Sequence, residues 1–214
     1  MRLEMKLLES NSDIENMILS SIRDTIDQAF NKSLKNLQQS IPKEIYKVIV
    51  SEPEYGSLVG GVLQYELGIP DAAQKVNNIV NIWTSNFYVE ISPVTISGSK
   101  IIGGFSINMI KDSYEDVLGS ENAFVVDDAK SLRLPWLEWL LLYGGKIIVR
   151  NYEVQVGSSP YSRTGLAIMK PSKKNWRVPA EFSGTRENNW VTRALDRLDQ
   201  SIPNLIQKEI EKNI

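Results

Sequence analysis

The sequence predicts an α+β protein, a mostly antiparallel sheet of about four to six strands with N-terminal helices and a C-terminal helix packed on it. Three observations carry this. Apolar residues recur at helical spacing from Ile18 to Trp83, the pattern changes to alternation at Phe87 and again at Lys146, and helical spacing returns after Glu187. The chain has 214 residues and no Pro/Gly/Ser linker, so it reads as one domain: a helical part over 13–86, a sheet part over 87–182 and C-terminal helices over 186–213.

Ile18, Ile22, Ile26, Phe30, Leu34, Leu37 and Ile41 form one amphipathic stripe, with Arg23, Asp24, Asp27, Lys32 and Lys35 opposite, so a helix is expected from about Asp13 to Gln39. Ser40 is placed to cap a second, short helix through IPKEIYKVIV with Pro42 in its first turn, and a strand at YKVIV is the competing reading. Ser51 and Glu54 match a capping box before EYGSLVGGVLQYELG, and Gly68 stands where a helix ends in the left-handed conformation. The Gly60-Gly61 pair inside that segment marks close packing or a kink. Asp71 is the expected N-cap of a helix burying Val76, Ile79, Val80 and Trp83.

FYVEISPVTIS and KIIGGFSINMI, joined by SGSK, predict a hairpin with a bulge at Gly103-Gly104. The less periodic DSYEDVLGSENAFVVDDAKS reads as a loop with a helical turn over Tyr114–Leu118 and a short strand at AFVV. Pro135 opens a short helix, PWLEWLLLYGG, closed by Gly144 or Gly145. A second hairpin follows in KIIVRNYEVQVG and SRTGLAIMK, then a short strand NWRVP limited by Pro179, then helix from about Glu187 with Trp190, Ala194, Leu195 and Leu198 on one face. Pro203 begins the terminal turns. The stretch Pro135–Trp190 holds four of the five tryptophans and organises the chain.

Composition narrows function before any motif does. Without cysteine or histidine, there is no thiolate nucleophile, no Ser-His-Asp triad, no Cys/His zinc site and no imidazole acid/base catalysis. The net charge of -2 gives no global attraction to nucleic acid or anionic membrane. The first residues lack an uninterrupted apolar stretch, so the reading is of a soluble protein used without export, with no membrane partner.

The remaining acid/base option is paired carboxylates. Glu115-Asp116 and Asp127-Asp128 sit in polar loops, where solvated acidic turns are far commoner than catalytic pairs, and Asp112 and Glu121 complete no metal-loop spacing. The glycines form neither a dinucleotide nor a phosphate-loop pattern. No catalytic residue, cofactor or metal is therefore expected, and the chain reads as a non-enzyme.

The basic segment is the strongest local signal. Arg163, Lys170, Lys173, Lys174, Arg177 and Arg186 are interleaved with Tyr161, Trp176 and Phe182, a composition that contacts DNA or a neighbouring chain, and also one that decorates a solvated turn. Trp136, Trp139 and Leu140, with Tyr161, are the candidate interface, since apolar surface around a short helix goes to a core or to a partner.

Three segments carry a family resemblance: the early helix leading into EYGSLVGGVLQYELGIPD, the stretch PWLEWLLLYGGKIIVRNYEVQVGSSPYSRTGLAIM, and the end NNWVTRALDRLDQSIPNLIQKEIEKNI. Together they resemble virion structural proteins of long-tailed bacteriophages, of the tail-completion or neck family at the head-tail junction. The usual proline of the closing aromatic motif is absent, and Arg193 precedes Ala194. The resemblance implies a subunit made in the host cytoplasm and placed in the virion, assembling as a ring, possibly a hexamer, and contacting other neck, connector or tail proteins, with transient contact to DNA. A tail terminator, or a nucleic-acid-binding module using the basic segment 160–193, is the alternative.

Overall fold

The computed structural model describes residues 10–109, 114–127 and 131–214. Asp112 and Asp128, two of the acidic candidates, lie outside them. The chain is of mixed α and β type and forms two compact units. One gathers the first helix up to Ile41, the segment Phe87–Met109 and Ile202–Ile214; the other gathers Pro42–Asn86 and the described residues from Tyr114 to Ser201.

Among the described residues, the expected sheet of four to six strands is replaced by three separate two-stranded antiparallel sheets. Alternating sequence specifies strands and short loops pair them locally, but neither makes the hairpins associate sideways. Here the hairpins are dispersed, one in the first unit and two in the second.

Helix α1, Asn11–Ser51, is continuous where two helices are expected. The Ser40 hydroxyl donates back to the Asn36 carbonyl at 2.7 Å and caps nothing. Pro42 lies inside the helix and deprives the Gln38 carbonyl of its donor, a cost of about 3 kcal/mol. Burial of Ile41, Ile45 and Ile49 offsets it and overrides the strand reading of YKVIV. In the first unit, α1 buries Ala29, Phe30 and Leu37, while Met17, Ile18 and Ile22, the start of the same stripe, stay exposed. The Ser33 hydroxyl donates to the Glu209 carbonyl at 3.1 Å, tying α1 to the last helix, α8, Leu198–Glu211.

The first hairpin pairs β1, Phe87–Ser97, with β2, Lys100–Met109. Phe87, Val89 and Ile91 share a face with Phe105 and Ile107, and Phe105 meets Phe30 at 4.8 Å between ring centroids. Gly98, at φ +60, occupies the two-residue turn. The bulge lies on β1: Pro93 and Val94 stand opposite the single residue Gly103, where a Cβ would come within 3.0 Å of Val94.

In the second unit, α2, Pro53–Gly60, and α3, Val62–Leu67, are separated by Gly61, whose extended backbone makes the glycine pair a break. The expected capping box is absent. Ser51 donates to the Val48 carbonyl, and Glu52 stands at the N-cap without a side-chain cap bond. Gly68 closes α3 in the left-handed conformation as expected. Asp71 precedes α4, Ala72–Ser85, at φ +50 and makes no side-chain cap bond.

The short helix α5, Glu115–Leu118, and a 3₁₀ turn over Glu121–Ala123 lead into β3, Val125–Asp127, which pairs with an unanticipated β4, Leu132–Leu134. Then come α6, Trp136–Leu142, the hairpin of β5, Tyr152–Val156, with β6, Ala167–Pro171, and α7, Trp190–Asp196. The expected third strand at NWRVP reduces to a single bridge between Val149 and Trp176. Asn189 is the true cap of α7, accepting from the backbones of Val191 and Thr192 in a reciprocal capping box. The core of this unit centres on Trp83 and Trp190, whose rings meet edge to face at 5.3 Å.

Candidate functional site

The stretch Pro135–Trp190 divides into a buried base and an exposed rim. Trp136 is fully buried and donates from Nε1 to the Asn122 carbonyl at 2.9 Å. Leu140 is equally buried, and its carbonyl accepts from the Gly184 backbone at 2.9 Å. A side chain at Gly184 would overlap Asn189 at 2.5 Å, so glycine is required where α6 meets the cap of α7. Both Trp136 and Leu140 are spent on the core of their own chain, so neither offers the interface surface expected of them. Trp139 is half-buried against Trp176, edge to face at 6.0 Å.

Trp176 connects this base to α3. Its indole N–H donates to the Glu66 carboxylate at 2.5 Å, and burial pushes the Glu66 carboxyl above its ordinary range, with the Trp176 bond opposing and the nearby Glu181 adding to the rise. Glu66 borders two depressions of the same unit. One, of about 300 Å³, is lined by Tyr65, Val154, Tyr161, Arg163 and Met169. The other, of about 310 Å³, includes Tyr152, Lys174 and Arg177.

The rim is the β5–β6 hairpin, in register from Tyr152 opposite Pro171 to Val156 opposite Ala167. Its long connection is closed by the Gly157 backbone donating to the Leu166 carbonyl at 2.8 Å. Tyr161 is 91% exposed at the tip, and Tyr152, Val156, Leu166 and Met169 are exposed along the strands. Five of the exposed large apolar side chains among the described residues lie on this one hairpin.

The basic residues do not act as one patch. Arg163 turns back toward α3, donating from Nε to the Gly68 carbonyl at 3.4 Å, with Asp127 at 4.0 Å. Lys174 pairs with Glu153 at 2.7 Å, and that bond raises its pKa. Lys170, Lys173, Arg177 and Arg186 are exposed, and no ion pair engages them among the described residues.

Among the acidic candidates, Glu115 and Asp116 are exposed on α5, Asp127 faces Arg163, and Glu121 pairs with Arg133 at 2.8 Å. Among the described residues, no group of three or more acidic side chains gathers as a metal ion would need. The carboxylates that matter electrostatically were hidden in the supposed capping box. Glu52 and Glu54 are almost wholly buried, and Arg197 and Arg193 of the α7 segment reach them. Their only sequence signal is the pair of arginines four residues apart on one helix face.

The segment thus combines a buried aromatic base, a hairpin with tyrosine at its tip, and charges of both signs around two depressions. No helix among the described residues is long and apolar enough to cross a membrane. No family model matches the chain, and neither a curated protein nor a solved structure matches it.

Proposed function

We propose that this chain is a structural subunit of the tailed-phage virion, of the neck or tail-completion kind, which assembles with copies of itself as a ring and joins the connector to the tail. The observation that carries the reading is the β5–β6 hairpin. It lies within the central segment of resemblance, and it exposes Tyr152, Val156, Tyr161, Leu166 and Met169 together. Exposed apolar side chains gathered on one projecting hairpin mark a surface that a partner covers, and tyrosine with arginine is the composition of energetic contact points. The hairpin tip then meets the adjacent subunit, and Lys170, Lys173, Arg177 and Arg186 face that neighbour or passing DNA. Its place is the virion, after synthesis in the host cytoplasm.

Mass spectrometry of purified phage particles tests this. Stoichiometric presence at the junction, with loss of head-tail joining when the gene is silenced, is expected; infectious particles lacking the protein would exclude it. A nucleic-acid-binding module is favoured instead if the isolated protein retards DNA and releases it as salt rises.

A further inference from the structure

We infer that the outer edge of β2 is a pairing edge, and that its occupant is the β2 strand of a second copy of this chain. Such a contact creates a four-stranded intermolecular sheet in the order β1-β2-β2-β1. It is independent of the virion reading.

Two observations support it. First, the β1–β2 hairpin is long and, Val94 apart, its outer half is little packed. Ser92, Pro93, Thr95, Ile96 and Ser97 on β1, and Lys100, Ile102 and Gly103 on β2, are exposed, Ile102 to 56%. A two-stranded ribbon without packing on a face is marginal in water and gains most from a third strand.

Second, the two edges are protected unequally. The β1 edge carries Glu90, Pro93 and the bulge after Ser92, the devices that stop a further strand from adding. The β2 edge from Ile101 to Met109 contains no charge and no proline, and its backbone runs without a bulge. Among the described residues, unequal blunting leaves β2 as the edge open to pairing. It also makes the contact self-complementary, since in an antiparallel pairing the uncharged runs from Ile101 to Met109 meet and the two Lys100 residues lie at opposite ends, without like-charge repulsion.

The test uses the full chain and two variants. Ile102→Lys with Ser106→Lys places charges on β2, so that two copies would oppose like charges, while Thr95→Lys places one on β1, across from Ile102 on the same face. Sedimentation equilibrium reads association, and hydrogen exchange at low and high protein concentration reads the edge amides. The expected result is a dimer whose Ile101–Asn108 amides gain protection with concentration. The β2 variant should lose the dimer while its circular dichroism and β1–β2 pairing persist, and Thr95→Lys should keep it. A strictly monomeric wild type, a dimer unchanged in the β2 variant, or equal loss in both variants would overturn the inference. The two-fold contact differs from the head-to-tail contact of a ring. A β2 variant that still enters particles separates the two proposals, and so does a wild type that dimerises but never enters them.

Discussion

Arg193 on α7 donates from Nη2 to the carboxylate of Glu54 in the first turn of α2, a carboxylate only 2% exposed. Its neighbour Glu52, 3% exposed, lies 3.1 Å from Arg197. The closing helical segment is thereby held to the corner between α1 and α2 by charge. Trp190 adds a neutral tie, its indole donating to the Ile49 carbonyl at 3.0 Å.

Removing the cation strands the buried carboxylate. Arg193→Ala is expected to cost about 2–4 kcal/mol of unfolding free energy, toward the lower side for a broken buried pair because the guanidinium is partly exposed. Adding Glu54→Gln to Arg193→Ala should recover part of that loss. A urea-unfolding double-mutant cycle reads both, and independent, additive costs would contradict the pairing.

Glu66 predicts a pH dependence of definite sign. Burial raises its pKa above the ordinary 4.5, so the folded chain holds the proton more tightly than the unfolded chain. Its contribution to stability is therefore highest below 4.5 and declines as pH rises through the raised folded value. Glu66→Gln removes that decline while leaving an oxygen to accept from Trp176. Denaturation midpoints across this range should show the variant gaining on wild type as pH rises; a constant difference would refute the assignment.

Core and rim tryptophan and tyrosine should behave oppositely. Trp136→Ala empties a fully buried site and should destabilise by about 3–5 kcal/mol. Tyr161→Ala, at a position 91% exposed, should change stability by no more than about 0.5 kcal/mol. Thermal melts measure both. If the hairpin tip contacts a neighbouring subunit, Tyr161→Ala also lowers incorporation into particles with the melt unchanged.

Two glycines separate conformational need from sequence habit. Gly68 lies at φ +63 and a Cβ there would sit 2.8 Å from Arg163 Nη2, so Gly68→Ala should cost about 1–2 kcal/mol and shift Arg163. Gly60 ends α2 with open space around it, so Gly60→Ala should be neutral or stabilising by up to about 1 kcal/mol. Equal effects at both positions would contradict this.

Local grammar was legible in the sequence. The stripe from Ile18 to Ile41 made a helix, alternation from Phe87 made a hairpin, Gly68 ended α3, and the burial of Val76, Ile79, Val80 and Trp83 followed their spacing. These features depend on neighbours within a few residues, which periodicity and turn chemistry report directly. The composition likewise removed thiol and imidazole chemistry without reference to any fold.

Tertiary structure decided what depends on distant partners. Ser40 and Ser51 look like caps until buried isoleucines on either side keep α1 continuous through Pro42. Glu54 looks like half of a capping box until Arg193, 139 residues away in sequence, takes its carboxylate. The stretch Pro135–Trp190 looked like one organising block; its tryptophans proved to be divided among the core, the Trp139–Trp176 contact and the Glu66 bond, leaving the hairpin tip exposed. Pairing of charges and lateral association of strands are set by which surfaces meet in space, and a one-dimensional pattern carries no term for that.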